Sequence, residues 1–204
     1  MYIPELFKVE DERLIDSFLR RYSFATVISA QDGLMEAVHV PILIASDKRT
    51  VSFHVATANP IVNFFKPGTQ ALVIFNGPHG YVSPRWYTRP NVPTWNYAAV
   101  HLYCRMGEPL DQKSVFRDLE RLVSSYESEE FVKKMFVGAD LGTVTKQIPG
   151  IVGYEALVTD IQTKFKLSQN RDQASRETVI RELKESPLSS DVELGNFMED
   201  FYTR

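Results

Sequence analysis

Three apolar segments close to the N-terminus follow one another with only short gaps between them: "FATVISA", "LMEAVHVPILIA" and "TVSFHVA". They are rich in β-branched and aromatic residues, which favour strands, and the gaps "QDG" and "SDKR" have the composition of tight turns. A parallel pairing needs a crossover connection of about a dozen residues or more. These gaps leave no room for one, so the chain is predicted to form an antiparallel meander rather than a doubly wound parallel sheet.

Later segments extend this pattern and add helices. Further strands are predicted at "QALVIFNG", "GYVSP", "NYAAVHLYCRMGEP" and "IPGIVGYEALVTDIQTKFKL". Apolar residues at helical spacing predict helices over residues 10–22 and 111–127, and residues 128–137 are predicted to continue as a second helix or as a kinked extension. Two more helices are predicted to close the chain. Asp172 caps the first, and the second starts at "SDVE", where Ser190 and Glu193 fit a capping box.

The order of these elements defines the predicted fold class. About six or seven strands, mostly in one block, with about four to six helices are typical of an α+β protein. We expect a small antiparallel β-barrel with peripheral helices packed on its outside. Residues 1–204 are predicted to form a single domain, in which residues 170–204 are a helical C-terminal extension.

Composition narrows the class of protein. With 23 Lys and Arg residues against 26 Asp and Glu residues, the chain has no bulk attraction for nucleic acid or for an anionic membrane. No apolar run approaches the roughly 20 residues that span a bilayer, and "MYIPELFKVEDE" lacks the regions of a signal peptide. The single cysteine, Cys104, excludes an intrachain disulfide and a Cys-cluster zinc site. We expect a cytoplasmic globular protein.

Common catalytic and metal-binding signatures are missing from the sequence. It contains no G-x-G-x-x-G, G-x-x-x-x-G-K-[ST], G-x-S-x-G or H-E-x-x-H motif. The histidines His39, His54, His79 and His101 fall on separate predicted strands, and none has metal-ligand spacing. Three of them could bind zinc if they converged in space. The more typical interpretation is that they are isolated histidines on separate strands. No residue is singled out as catalytic.

The segment "HVATANP" is a first candidate binding site. A strand ends here and a short helix begins, with Asn59 as its N-cap and Pro60 at its first position. Free N–H groups at a helix start can hold an anion, and Thr57, Asn59 and His54 add side-chain donors. An ordinary helix cap explains the same residues.

The stretch "GYVSPRWYTRPNVPTWNYAAVHLY" is a second candidate, because it holds both tryptophans of the chain. Trp95 lies there beside the polar residues Ser83, Arg85 and Asn96, and prolines stiffen the connecting loop. A slot for a flat aromatic ligand needs stacking surfaces and a few fixed hydrogen bonds. A dimer interface has a similar composition. Both interpretations are open, and a cofactor can also bind at a subunit boundary.

The third candidate is "KFKLSQNR", at the end of the last predicted strand. Lys164, Lys166 and Arg171 supply positive charge there, and Gln169 and Asn170 supply amides. Such a set suits an anionic or carbonyl-rich ligand, although a solvated strand end explains it equally well.

The pattern "HVPILI", "FHVATANP", "GYVSPRWY", "VPTWNY" and "KLSQNR" resembles the PaiB-type family of FMN-binding negative transcriptional regulators, in the family's order and over nearly the whole chain. The resemblance implies an FMN-binding split β-barrel, a homodimer with flavin at the subunit interface, and negative regulation of sporulation and of protease production. The FMN phosphate is then expected at "TANP", and the cofactor-binding residues are His54, Thr57, Asn59, Ser83, Arg85, Trp95, Asn96, Lys166 and Gln169. This chain departs from the family's pattern at Gly80 and Arg85.

Two classes of function follow from that resemblance. The first is a flavin-binding transcriptional regulator with little or no catalysis, which is favoured because no acid–base pair stands out near the expected site. The alternative is an FMN-dependent oxidoreductase or flavin reductase on the same fold. Haem binding through one of the histidines is a third hypothesis. Direct DNA contact has no support from a helix-turn-helix pattern or from a basic face.

Overall fold

The computed structural model describes residues 1–203, which form a mixed α/β protein around one seven-stranded antiparallel sheet. The strands are β1 (Phe24–Gln31), β2 (Leu34–Pro41), β3 (Leu43–Ile44), β4 (Thr50–Ala56), β5 (Gln70–Val82), β6 (Thr94–Pro109) and β7 (Ile151–Lys166). The helices are α1 (Glu12–Arg21), α2 (Gln112–Ser124), α3 (Glu129–Phe136), α4 (Leu141–Gln147), α5 (Gln173–Lys184) and α6 (Ser189–Tyr202). None of the helices in this part of the chain is both long enough and apolar enough to cross a bilayer.

The sheet is antiparallel as predicted, but the simple meander is wrong. The strand order is β2-β1-β5-β6-β7-β4-β3. The apolar segment after β1 divides at Ile42, whose N–H donates to the Ser23 carbonyl at 2.9 Å instead of continuing the ladder. Its first half pairs with β1 and its second half pairs with β4. The two edge strands are therefore consecutive in sequence, and the sheet is not closed.

Two further predictions about the elements need correction, and one helix was missed. "QALVIFNG" and "GYVSP" belong to one long strand, β5, and helix α4 was not predicted. The capping box at Ser190 and Glu193 is also wrong, because Ser190 already lies inside α6. The Glu193 carboxylate instead accepts a hydrogen bond from the Tyr22 hydroxyl at 3.0 Å.

Other predicted elements are confirmed. The helices α1, α2, α3, α5 and α6 all form. Asp172 caps α5 by accepting from the Ser175 N–H at 2.8 Å. Asn59 caps a short 3-10 turn, Pro60–Asn63, by accepting from the Ile61 N–H at 3.1 Å. In both cases a short polar side chain satisfies a backbone donor that the helix cannot satisfy itself.

The chain divides into two compact units. The first, which we call the terminal unit, comprises residues 1–22, 76–101 and 162–203. Its core is aromatic: Phe165 of β7 lies 4.9 Å from Phe18 of α1 and 5.4 Å from Phe197 of α6, measured between ring centroids. Helices α1, α5 and α6 thus belong to the same unit as the ends of β5, β6 and β7.

The second, which we call the central unit, comprises residues 23–75 and 102–161. Strand β4 pairs with β7 from Thr50↔Leu157 to Ala56↔Ile151. The rings of Phe53, Phe65 and Tyr154 pack together on this part of the sheet. Helices α2, α3 and α4 contribute a small apolar cluster around Phe136. The single-domain organisation predicted for residues 1–204 stays a prediction.

Close approach of β6 to β7 in the central unit depends on Gly107. A Cβ atom added there would lie 2.8 Å from the backbone carbonyl oxygen of Glu155, which cannot move without disturbing the sheet. We expect Gly107→Ala to lower the free energy of unfolding by about 1–3 kcal/mol, as overpacking does. Urea denaturation of the purified variant measures this change.

Gly142→Ala is the matched control. Gly142 lies in α4, and an added Cβ would meet no atom within 4 Å. Because alanine favours a helix over glycine, this change should leave the stability equal or raise it by up to about 1 kcal/mol. Equal unfolding midpoints for the two variants would contradict the assigned close approach.

Candidate functional site

The sequence-predicted site residues divide between the two units. The central unit contains His54, Thr57 and Asn59, whereas the terminal unit contains Ser83, Arg85, Trp95, Asn96, Lys166 and Gln169. Each set is described by itself.

In the central unit, His54 lies on β4 and faces helix α2. Its side chain lines a small cavity together with Asp118 and Leu122 of that helix. Burial lowers the pKa of the imidazole, and the negative charge of Asp118 partly offsets this effect. The structure therefore favours a neutral His54 packed beneath α2.

The side-chain oxygens of Thr57 and Asn59 both take part in local hydrogen bonds. The Thr57 hydroxyl and N–H donate to the Gly150 carbonyl at 3.3 and 3.0 Å. The Asn59 side-chain oxygen accepts a hydrogen bond from the Ile61 N–H. The helical segment after them is only four residues long. The cap interpretation of this segment is confirmed, and its role as an anion site stays a prediction.

In the terminal unit, three exposed rings on neighbouring strands form what we call the aromatic patch: His79 and Tyr81 of β5 and Trp95 of β6. The Trp95 Nε1–H donates to His79 Nδ1 at 3.3 Å, and these two rings stack with centroids 5.9 Å apart. The Tyr81 ring meets Trp95 at 6.4 Å. Trp95 is 49% exposed and Tyr81 is 47% exposed. A flat surface of this kind can stack a planar ligand.

Three cations lie beside the patch. Lys166 donates to the carbonyl oxygen of Trp95 at 2.9 Å and also to the Thr94 hydroxyl. Lys164 lies over the ring of Tyr97, 5.3 Å from its centroid. Burial lowers the pKa of Lys166, and the positive charges of Lys164 and Arg171 lower it further. An anion bound here would relieve that repulsion.

No carboxylate in residues 1–203 forms an ion pair with any of these three cations. Arg171 instead lies over the ring of Tyr87 and donates to the Asn91 side chain at 3.1 Å. The cluster thus carries positive charge that the neighbouring side chains do not neutralise, which is the electrostatic environment an anionic ligand needs.

Asn96 and Gln169 were predicted to contact the cofactor, but both make internal hydrogen bonds. Asn96 is fully buried on the face opposite Trp95, and its amide donates to the Ser168 hydroxyl at 2.9 Å. Gln169 accepts from the Leu167 N–H at 2.7 Å and donates to the Phe165 carbonyl. These bonds hold the bend at Ser168, whose φ is +69°. Both side chains therefore support the end of β7.

Ser83 and Arg85 lie where β5 leads into the loop before β6. The buried Ser83 hydroxyl caps the 3-10 turn Pro84–Trp86 by accepting from the Arg85 N–H at 3.3 Å. It also accepts from the Arg85 guanidinium at 3.5 Å. The Arg85 side chain is exposed, so the guanidinium extends the positive surface of the terminal unit.

Gly80, one of the departures from the family's pattern, has a packing reason. A Cβ atom there would lie 3.0 Å from Leu194 and 3.1 Å from Asp191, both on α6. The absence of a side chain on this buried face of β5 lets the helix approach the strand closely.

Two residues of the patch, His79 and Tyr81, were missed by the sequence analysis. The signal was available, because residues two apart on a strand share a face and "HGYV" puts a histidine and a tyrosine in that relation. Residues 1–203 contain no group of three or more His, Cys, Asp or Glu side chains arranged to hold a metal ion.

Comparison with known proteins gives a family, one relative in sequence and two solved structures of similar fold. Residues 1–160 match a family described as "Putative FMN-binding domain". The chain is also 34% identical over 202 residues to "Protease synthase and sporulation protein PAI 2" of Bacillus subtilis, an alignment that covers 98% of this chain and 97% of that protein.

Two solved structures share the fold at low sequence identity. One is the FAD and haem binding protein from Mycobacterium smegmatis, with a TM-score of 0.63, 14% identity, and coverage of 83% of this chain and 78% of that one. The other is the flavocytochrome Anf3 from Azotobacter vinelandii, with a TM-score of 0.60, 14% identity, and coverage of 78% and 69%.

Proposed function

The chain belongs to the FMN-binding family that it matches over residues 1–160, and we propose that it is a flavin-binding regulator that holds FMN against the aromatic patch. The observation that carries this proposal is the hydrogen bond between Lys166 and the carbonyl oxygen of Trp95. It puts a positive charge directly beside an exposed stacking surface. A flavin ring needs the surface, and an FMN phosphate needs the charge.

The residues of the terminal unit fit FMN in their chemistry. Trp95 and Tyr81 offer the faces on which an isoalloxazine ring stacks. Lys166 and Arg171 offer donors to a phosphate, which carries a charge of about −1.5 to −2 at neutral pH. The buried Lys164 already donates to the Tyr2 carbonyl at 3.1 Å, and it adds positive charge to this side of the site. Asn96 and Gln169 serve the site indirectly, by fixing the strand ends that carry Trp95 and Lys166. Ser83 and Arg85 stay proposed contacts at the edge of the patch.

His54, Thr57 and Asn59 are the second candidate for the phosphate. Their donors are partly occupied, since Thr57 donates to Gly150 and His54 packs beneath α2. The choice of FMN over FAD rests on the family description. Any flavin supplies two-electron and one-electron redox chemistry when it is bound, and the residues named here supply stacking, charge and hydrogen bonds.

The proposed architecture is a split β-barrel. Its support is the strand order, because the edge strands β2 and β3 are separated by the single residue Ile42. A sheet whose edges are joined by one residue must curl, which brings those edges towards each other.

The regulatory role is supported by the relative from Bacillus subtilis, which aligns over nearly its whole length and is named for protease synthesis and sporulation. We extend to this chain a role in negative regulation of such genes. Direct DNA contact and a cytoplasmic location stay predictions from the sequence. An FMN-dependent oxidoreductase is the second candidate function, favoured by the fold shared with a flavocytochrome.

We also propose a homodimer. The aromatic patch leaves Tyr81 and Trp95 about half exposed, and Val92 in the loop before β6 is 66% exposed. Apolar surface concentrated in this way is typical of an interaction site. A second copy covering the patch would enclose a flavin stacked on it.

The flavin proposal predicts different effects on FMN and on riboflavin, which lacks the phosphate. Trp95→Ala should weaken both ligands about tenfold or more, as the loss of a stacking platform does. Lys166→Met should weaken FMN by a similar factor and leave riboflavin almost unchanged, because a charge-assisted bond contributes roughly 1.5–3 kcal/mol. Quenching of flavin fluorescence measures all four affinities.

Lys146→Met, an exposed lysine of α4, is the matched control for charge and should change neither affinity. Thr57→Ala and Asn59→Ala test the second phosphate position. If these two variants bind FMN no more tightly than riboflavin, while Lys166→Met still prefers FMN to riboflavin, the phosphate lies in the central unit and the proposed placement is wrong.

The dimer proposal predicts about twice the mass of one chain in light scattering at micromolar concentration. Tyr81→Arg should shift the protein towards the monomer, since an unpaired charge in an apolar interface is costly. Met35→Arg is the control, because Met35 is 78% exposed on the edge strand β2 and lies outside the patch. A wild-type monomer, or equal effects of the two variants, would contradict the proposed interface.

The regulatory proposal predicts slow turnover. When FMN-loaded protein is mixed with NADH or NADPH, the flavin should bleach far more slowly than the roughly 1 to 1,000 per second of typical enzymes. Stopped-flow absorbance follows both bleaching and reoxidation in air. Bleaching within the enzymatic range would favour the reductase.

A further inference from the structure

His79 of the aromatic patch is held in one tautomer by its neighbour. The indole Nε1–H of Trp95 can only donate a hydrogen bond, and it points at His79 Nδ1 at 3.3 Å. Nδ1 must therefore be the unprotonated nitrogen of the neutral ring, and the proton lies on Nε2. The near-parallel stacking of the two rings, at 29° between their planes, keeps the imidazole in this orientation.

The Nε2–H of His79 has no acceptor among residues 1–203. The only hydrogen bond that the imidazole makes there is the one from Trp95, and the side chain is exposed. The ring of Tyr81, two residues further along β5, makes a second contact with the ring of Trp95. A neutral N–H donor in fixed orientation thus stands at the edge of a surface that is otherwise aromatic.

We propose that His79 is a ligand-binding residue that donates from Nε2–H to an acceptor atom on the edge of the flavin ring, an inference that rests on the proposed flavin site. The pyrimidine edge of an isoalloxazine carries carbonyl oxygens and ring nitrogens that accept hydrogen bonds. These acceptors become more negative when the ring is reduced. A hydrogen bond to a charged acceptor is stronger than one to a neutral acceptor, so His79 favours the reduced flavin.

Trp95 then has two roles. Its ring is a stacking surface, and its N–H is a positioning group that decides which imidazole nitrogen carries the proton. Trp95→Phe separates the roles, because phenylalanine keeps an aromatic face but cannot donate to His79 Nδ1. The second role makes a prediction for the ligand-free protein.

That prediction is tested by the imidazole nitrogen resonances of His79 in the flavin-free protein in mildly alkaline buffer. Wild-type protein should show an unprotonated Nδ1 and a protonated Nε2, whereas Trp95→Phe should show a mixture of the tautomers. A proton on Nδ1 in the wild type would overturn the inference before any flavin is added.

The second test compares the midpoint potential of bound flavin in His79 variants. His79→Phe should lower the affinity for reduced flavin relative to oxidised flavin by about three- to tenfold, the value of one hydrogen bond. For a two-electron couple that is a fall of about 15–30 mV. His79→Gln, which keeps an N–H donor, should restore part of the difference.

His39→Phe is the matched control, because His39 is also an exposed strand histidine, with Nδ1 bonded to the Thr26 hydroxyl at 2.9 Å, in the central unit. It should leave the potential unchanged. If His79→Phe binds flavin with the wild-type potential, the role of His79 is overturned and the flavin site stands. A wild-type protein that binds no flavin overturns both.

Discussion

The hydrogen bond from the buried Asn96 amide to the Ser168 hydroxyl holds together the part of the molecule on which the proposed site depends. Asn96 follows Trp95 in sequence, and Ser168 lies two residues beyond Lys166. A bond inside the terminal unit therefore fixes, on the outside, the distance between the stacking surface and the positive charge. Tyr202 of α6 adds to this support by donating to the Leu167 carbonyl at 2.8 Å.

The two faces of the sheet differ in what they contact, and this difference follows from the geometry of a strand. Because side chains alternate, β6 turns Asn96 towards α6 and Trp95 outwards, and β5 does the same with Gly80 and Tyr81. The inner face packs against helices and tolerates no ligand. The outer face leaves the rings of Tyr81 and Trp95 about half exposed and Lys166 partly exposed, so that they are available to a bound molecule or to a second chain.

Local signals in the sequence predicted local structure well. The turns, the Asn59 and Asp172 caps, and the antiparallel sense of the sheet were all readable from short stretches, because each depends on neighbouring residues. The pairing partners of the strands could not be predicted from such short stretches. Pro41 indicates an edge or a bulge in this apolar segment. It does not show that the segment splits between two edges of a sheet, since the hydrogen bond from Ile42 to Ser23 is a tertiary contact. The capping box at Ser190 failed because α6 begins one residue earlier, at Ser189, and because Tyr22 binds Glu193 from a distant part of the chain.

The candidate site shows a similar limit. Residue type drew attention to Trp95 and to the lysines near the end of β7, whose role in binding stays a prediction. It could not show that the side-chain amides of Gln169 and Asn96 form hydrogen bonds inside the protein, because these bonds depend on which face of the strand each side chain occupies. His79 was missed because an isolated histidine has no motif, and its place in the patch arises only when β5 lies beside β6.

A crystal structure of the protein with bound FMN is the sharpest test of the proposed flavin site. We expect the isoalloxazine ring to stack on Trp95, with the phosphate within hydrogen-bond distance of Lys166. Electron density for the flavin at Thr57 and Asn59, with the aromatic patch free of flavin, would contradict it.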